Sequence, residues 1–174
     1  DETVDAGLDQ LIAQIDDDTC CVAVQQPDFL GGLEAIERLQ ESLSALQRAG
    51  AGAATIFNYN YLGAVYRHQG LYDAADGVLH EALRLARAHD DAFQASISLN
   101  ILGQTASLQG DYDTARRYCE EALAIKRALG DRRGMTYSLS YLGRVALAQE
   151  DYAAAEALLE ESLAISEALG DRRG

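Results

Sequence analysis

Asn60, Asn100 and Ser140 stand forty residues apart in a chain of 174. Short polar side chains at a fixed interval suit one kind of chemistry, repeated hydrogen bonding to a polymer. A carboxamide both donates and accepts, so an asparagine can hold the backbone of an extended peptide without reading its sequence. Asn is also a poor helix former, and its recurrence inside a helix calls for a compensating contact. Phe57, Arg67 and His68 stand around the first member of this ladder, Gln104 follows the second, and Tyr137 and Arg144 flank the third. Arg67 and Arg144 can take an acidic side chain or a carboxylate through paired N–H donors. These nine residues are the candidate peptide-binding site. The competing reading is that they are solvated positions, or that the chain's own acidic N-terminal region covers them.

Covalent chemistry finds less support. His68, His80 and His89 show no H-x-x-x-H or H-E-x-x-H spacing, so no metal site is expected. Cys119 replaces the leucines Leu79 and Leu159 of the neighbouring copies and is expected to pack as a small apolar side chain. Asp16, Asp17 and Asp18 are consecutive, whereas a calcium loop alternates its ligands. Cys20 and Cys21 are adjacent and fit neither a disulfide framework nor paired zinc ligands. With no phosphate loop, nucleophile elbow or dinucleotide fingerprint, the expectation is a non-enzyme without a cofactor.

The elements that must carry the ladder repeat with it. Tyr61-Leu62-Gly63, Ile101-Leu102-Gly103 and Tyr141-Leu142-Gly143 keep the forty-residue interval. So do Tyr72, Tyr112 and Tyr152, then Ala75, Ala115 and Ala155, then Leu83, Leu123 and Leu163. Such a period implies stacked units that bury a continuous core together. Each unit reads as two helices. Tyr59, Leu62, Gly63 and Tyr66 share one face of the first, and Gly70 ends it in a left-handed cap. Ala75, Leu79, Ala82, Leu83 and Ala86 form the stripe of the second, with Asp73 placed to satisfy its free amides. The small residues at 63 and 75 and their copies let two backbones approach, with the recurring tyrosine packed over the contact. Glu150 stands where Gly70 and Gly110 do, at a cost of about 1 kcal/mol if the left-handed conformation is kept.

The Leu-Gly pair, the tyrosine after the turn and the alanine of the second helix resemble the tetratricopeptide repeat family. Units of forty residues look like those of kinesin light chains and many bacterial signalling proteins, and Leu99-Asn100-Ile101-Leu102 and Glu121-Ala122-Leu123-Ala124-Ile125 are similar to kinesin light chain repeats. The resemblance implies an all-α, right-handed α-solenoid of antiparallel helix pairs, acting as a scaffold that binds a protein or peptide in the concave groove of its first helices, within a larger regulatory or signalling protein. It also implies that Asn60 and Asn100 hold peptide backbone. A lysine-rich clamp for chaperone tails is not expected, because Lys126 is the single lysine and lies on a second helix. The expected organisation is an acidic segment at 1–30 with a short helix over 3–16, a partial repeat at 31–56, and full repeats at 57–94, 95–134 and 135–174. Residues 17–32 are read either as a degenerate helix broken at Pro27 or as a loop.

The net charge of −14 argues against nucleic acid as a partner. It is uneven, since the ten acidic residues from Asp1 to Glu37 face no Lys or Arg. No apolar run is long enough to cross a membrane, and a cytoplasmic protein without membrane contact is expected. The pentapeptide GDRRG occurs at 130–134 and again at 170–174. It reads as a joint, in which Gly130 closes one helix, Asp131 caps the next, and Arg132 and Arg133 make contacts across the joint. The second copy leads to the expectation of a truncated array whose Leu158, Leu159, Leu163 and Ile165 lack part of their cover. Self-association through that end is the alternative function, beside an autoinhibitory N-terminal region.

Overall fold

The computed structural model describes residues 32–50 and 52–170. The sequence expectations for 1–31, including the short helix and the Pro27 segment, lie outside the described residues. Seven helices are described: α1 Gly32–Ala49, α2 Gly52–His68, α3 Tyr72–Ala88, α4 Ala92–Leu108, α5 Tyr112–Leu129, α6 Arg132–Ala148 and α7 Tyr152–Ala168. No strand occurs among the described residues. The chain divides into two compact units between His89 and Asp90.

The helices begin and end where backbone chemistry requires. Asp91, Asp111, Asp131 and Asp151 accept from the backbone N–H groups of Gln94, Thr114, Gly134 and Ala154 at 3.0, 3.0, 2.8 and 3.1 Å. Each satisfies one amide that the first helical turn leaves free. The start of α3 departs from expectation. Its cap position is Leu71, which makes no side-chain cap hydrogen bond, and Asp73 sits inside the first turn. At the other ends, Gly70 and Gly110 adopt φ of 76° and 83°, and Glu150 holds the same left-handed turn at 61°. The carbonyls of Tyr66, Ala106 and Ala146 then accept from the residues after the turn, Leu71, Asp111 and Asp151, each at 2.9 Å.

In the first unit α1 and α2 are joined by polar as well as apolar contacts. Leu39, Leu46, Ile56, Leu62 and Leu79 are fully buried, each worth roughly 1.5–3 kcal/mol relative to exposure. Gln40 and Gln47 donate to the hydroxyls of Tyr66 and Tyr59 at 2.7 and 2.6 Å. Burial, with Glu81 nearby, pushes the Tyr59 phenol above its ordinary value. In the second unit Cys119, Leu123, Leu139, Leu142 and Ile165 form the core, with Met135, Tyr141 and Leu158 packed against it. Cys119 is thus a core residue, as its register implies. Ile165 is buried too, which removes it from the stripe expected to lack cover.

The repeated Leu-Gly pair explains itself in both units. A Cβ at Gly63 would come within 2.4 Å of Leu79 Cγ, and one at Gly103 within 2.5 Å of the Cys119 sulfur and 3.2 Å of the Ala115 carbonyl oxygen. The glycine is a slot into which the residue sixteen positions later inserts. Tyr112 packs against Ala106, Ala115 and Val145, as expected of the recurring tyrosine. Tyr152, its counterpart, is 66% exposed.

Candidate functional site

Five of the nine candidate residues lie on α4 and α6, which pack against each other within the second unit. Their faces follow from the helical period: Gly134, Ser138, Leu139, Leu142, Val145 and Ala146 point into the core, which turns Tyr137, Ser140 and Arg144 to the opposite side. Tyr137 is 58% exposed and Arg144 is exposed. The Arg144 guanidinium lies 5.9 Å from the centre of the Tyr141 ring, a distance at which the ring face attracts a cation. Gln104, on α4, is half-buried.

The polar ladder is used differently. Asn100 is only 6% exposed, and its side-chain oxygen accepts from the Ser138 hydroxyl at 3.0 Å. This bond is the compensation that an asparagine in a helix interior needs, and it ties α4 to α6. Ser140 bonds Ser162 of α7 at 3.2 Å, and Ser162 donates to the Thr136 carbonyl at 3.1 Å. A hydroxyl carries one proton, so Ser140 is the donor of its pair. What Asn100 can still offer a ligand is its NH2 group. The remaining four candidates lie on α2 of the first unit. Phe57 is exposed and Asn60 buried. Arg67 donates to His68 Nε2 at 3.0 Å.

Sequence reasoning passed over Ser138 and Ser162. The signal for Ser138 was available, because Asn58, Ser98 and Ser138 form a second short polar row two residues before the ladder. All three are buried; Asn58 and Ser98 donate to the carbonyls of Ala54 and Gln94 at 2.9 and 3.1 Å.

The joint at 130–134 is more than a turn. Gly130 takes φ of 68° and Asp131 caps Gly134, as its sequence implies. Gly134 has no room for a side chain, since a Cβ there would collide with the Asp131 carboxylate and come within 2.9 Å of Lys126 Cδ. Lys126 is buried and its Nζ donates to the Gly134 carbonyl at 3.3 Å. Burial pulls its ammonium below the ordinary value, against the opposing pull of Asp131. Arg132 and Arg133 are exposed.

Burial pushes the Cys119 thiol up to about 12, so its thiolate is scarcely populated near neutral pH. Among the described residues no group of three or more His, Cys, Asp or Glu side chains could hold a metal ion. No described helix is long and apolar enough to cross a membrane. A cavity of about 220 Å³ opens beside Arg116, Leu123, Arg127, Leu142 and Leu158. Its two guanidiniums are engaged, Arg116 by Gln149 and Arg127 by Glu161.

Comparison with known proteins agrees with this architecture. Two models described as tetratricopeptide repeat match residues 59–89 and 93–168, together more than half of the chain. The comparison with curated proteins returned no match. Among solved structures, BtubC (BKLC) from P. vanneervenii is 23% identical with a TM-score of 0.73, over 82% of this chain and 59% of that one. A STAND protein, a Signal Transduction ATPase with Numerous Domains, with a tetratricopeptide repeat sensor, from Pyrococcus horikoshii, is 22% identical with a TM-score of 0.72, over 80% of this chain and 22% of that one. Nearly identical TPR-like repeats of a kinesin-light-chain-like protein from Podosopora anserina are 18% identical with a TM-score of 0.62, over 82% of this chain and 70% of that one. The chain therefore spans less than two thirds of the length of the first two. At these identities the likeness is one of fold, an all-α helical-repeat solenoid.

Proposed function

The chain belongs to the tetratricopeptide repeat family, a family of protein-interaction scaffolds, and on that premise we propose that it captures an extended peptide along its inner helices. The observation that carries this reading is the exposed side of α6, where Tyr137 and Arg144 contribute large amphipathic side chains that the core does not use. Tyrosine and arginine are the residue types that concentrate binding energy at interfaces. Gln104, on the adjoining helix α4, and the amide nitrogen of Asn100 supply polar partners for a peptide backbone. Ser138 is a positioning residue, because it fixes the Asn100 amide from behind. In the first unit, taken by itself, α2 carries Phe57, Arg67 and His68, and Asn60 takes the place of Asn100 in the repeat. A place within a larger regulatory protein is part of the same proposal, supported by the tetratricopeptide repeat sensor of the signal transduction ATPase. Selection of random peptides on the immobilised protein tests it: retained peptides should lose their hold on a Tyr137→Ala variant, and peptides indifferent to that change would contradict it.

One observation favours a second reading, assembly through α7. Leu163 is 52% exposed, whereas its counterparts Leu83 and Leu123 are each 5% exposed, and Leu159 is exposed beside it. If that apolar face mediates self-association, sedimentation should detect a concentration-dependent dimer that Leu163→Lys abolishes. A monomer at all concentrations would remove this reading without touching the first.

A further inference from the structure

Within the second unit α5 and α7 match in register but differ in what covers them. Cys119 and Leu123 of α5 correspond to Leu159 and Leu163 of α7. Cys119 and Leu123 are buried, and Met135, Leu139 and Leu142 of α6 pack with them in one core. Leu159 and Leu163 are both exposed. The edge of this stripe also changes sign between the two copies. Along α5 it carries Arg116, Glu120 and Arg127, and along α7 the same positions hold Glu156, Glu160 and Glu167, which lie on one side of the helix beside the leucines. All three glutamates are exposed, and the sequence of α7 contains no Lys, Arg or His. The arginines of α5 show what the edge does in the covered copy. Arg116 donates to Gln149, just past the end of α6, and Arg127 pairs with Glu161 of α7. The edge therefore reaches across to whatever stacks upon it. Guanidiniums in those places meet oxygen acceptors, whereas carboxylates there require donors, and cations serve best.

We propose that α7 is the docking surface for a basic amphipathic helix of a partner protein. The apolar residues of that helix follow the i, i+4, i+7 pattern with which Met135, Leu139 and Leu142 meet α5. Its Lys or Arg side chains lie on the flank facing the glutamates. Glu156 and Glu167 are eleven positions apart, roughly 16 Å at the rise of an α-helix, so the matching cations stand about three turns apart. Burial of Leu159 and Leu163 supplies affinity, and the glutamate edge supplies selectivity. Two copies of α7 would bring like charges together, and the acidic segment at 1–30 has the same unfavourable sign. The inference does not depend on the peptide-binding reading of α4 and α6, and it gives the leucine face a different occupant from a second copy of the chain.

The test uses the full chain and a hydrocarbon-stapled helical peptide of about five turns, with leucines at i, i+4 and i+7 and two flanking arginines spaced as Glu156 and Glu167 are. A control peptide carries glutamates in place of the arginines. Fluorescence anisotropy compares the two on wild type, on Leu163→Ala and on the double variant Glu156→Arg with Glu167→Arg, after circular dichroism has confirmed wild-type helicity in both variants. The expected result is one-to-one binding of the basic peptide, weakened about tenfold or more by Leu163→Ala and falling as salt is raised. The charge-reversed variant should prefer the acidic peptide. Equal affinity of wild type for the two peptides, or a preference that the charge reversal leaves unchanged, would overturn the proposal. Absence of Leu163-dependent binding to either peptide would do the same. So would a dimer in sedimentation that the basic peptide fails to dissociate, since a second copy would then occupy the face.

Discussion

The Ser138 hydroxyl donates to the Asn100 side-chain oxygen at 3.0 Å, and both residues are buried. A buried acceptor that loses its donor bears the full cost of desolvation, about 1–3 kcal/mol, whereas replacing both partners by apolar groups is close to neutral. Ser138→Ala should therefore lower unfolding free energy by about 1–2 kcal/mol in urea, and adding Asn100→Leu to it should restore most of the loss. A cost of the double change equal to the sum of the two single changes would mean that the two residues act independently.

Glu150 holds φ of 61° where Gly70 and Gly110 hold 76° and 83°. A side chain in that conformation costs roughly 1 kcal/mol that glycine does not. Glu150→Gly is expected to raise the thermal midpoint by several degrees, as the size scaling of unfolding entropy implies for about 1 kcal/mol. An unchanged or lower midpoint would show that the carboxylate or its stem compensates for the strain.

Cys119 gives the core a pH dependence with a definite sign. Its thiol is raised from an ordinary value of 9.0 to about 12 by burial, so between those values the unfolded chain has released a proton that the folded chain retains. Folding stability from this group is full below about 9 and falls as pH rises towards 12. Cys119→Ala costs packing at pH 7 but has no thiol to ionise. The stability gap between wild type and variant should narrow steadily from pH 8 to pH 11. A gap constant over that range would contradict a thiol raised by burial.

The period of forty made most of the fold legible. Leu-Gly, Tyr and Ala at fixed register placed the helix pairs, and the joint of Gly130 and Asp131 was readable because left-handed turns and aspartate caps have local signatures. Three features escaped. Asp73 has the composition of a cap, yet α3 starts at Tyr72 and leaves it in the first turn, since neighbouring residues compete for one geometric position. Asn100 looked like part of an open ladder, because periodicity gives the direction of a side chain but not the hydroxyl of another helix that meets it. The buried lysine was likewise hidden: only the missing Cβ of Gly134, eight residues further on, makes room for its stem. The exposed residues of α6 were legible as a face, but their exposure depends on what packs against α4 and α6, which sequence spacing does not state.

The central claim is that peptides bind the exposed face of α6 in the second unit. Isothermal titration of a selected peptide into wild type, Tyr137→Ala and Tyr152→Ala tests it most directly, because both tyrosines are strongly exposed, at 58% and 66%, and only Tyr137 lies on α6. Truncating an aromatic anchor typically costs 2 kcal/mol or more, so Tyr137→Ala should weaken binding at least about tenfold while Tyr152→Ala leaves it unchanged. Wild-type affinity in Tyr137→Ala, or an equal loss in Tyr152→Ala, would contradict the account.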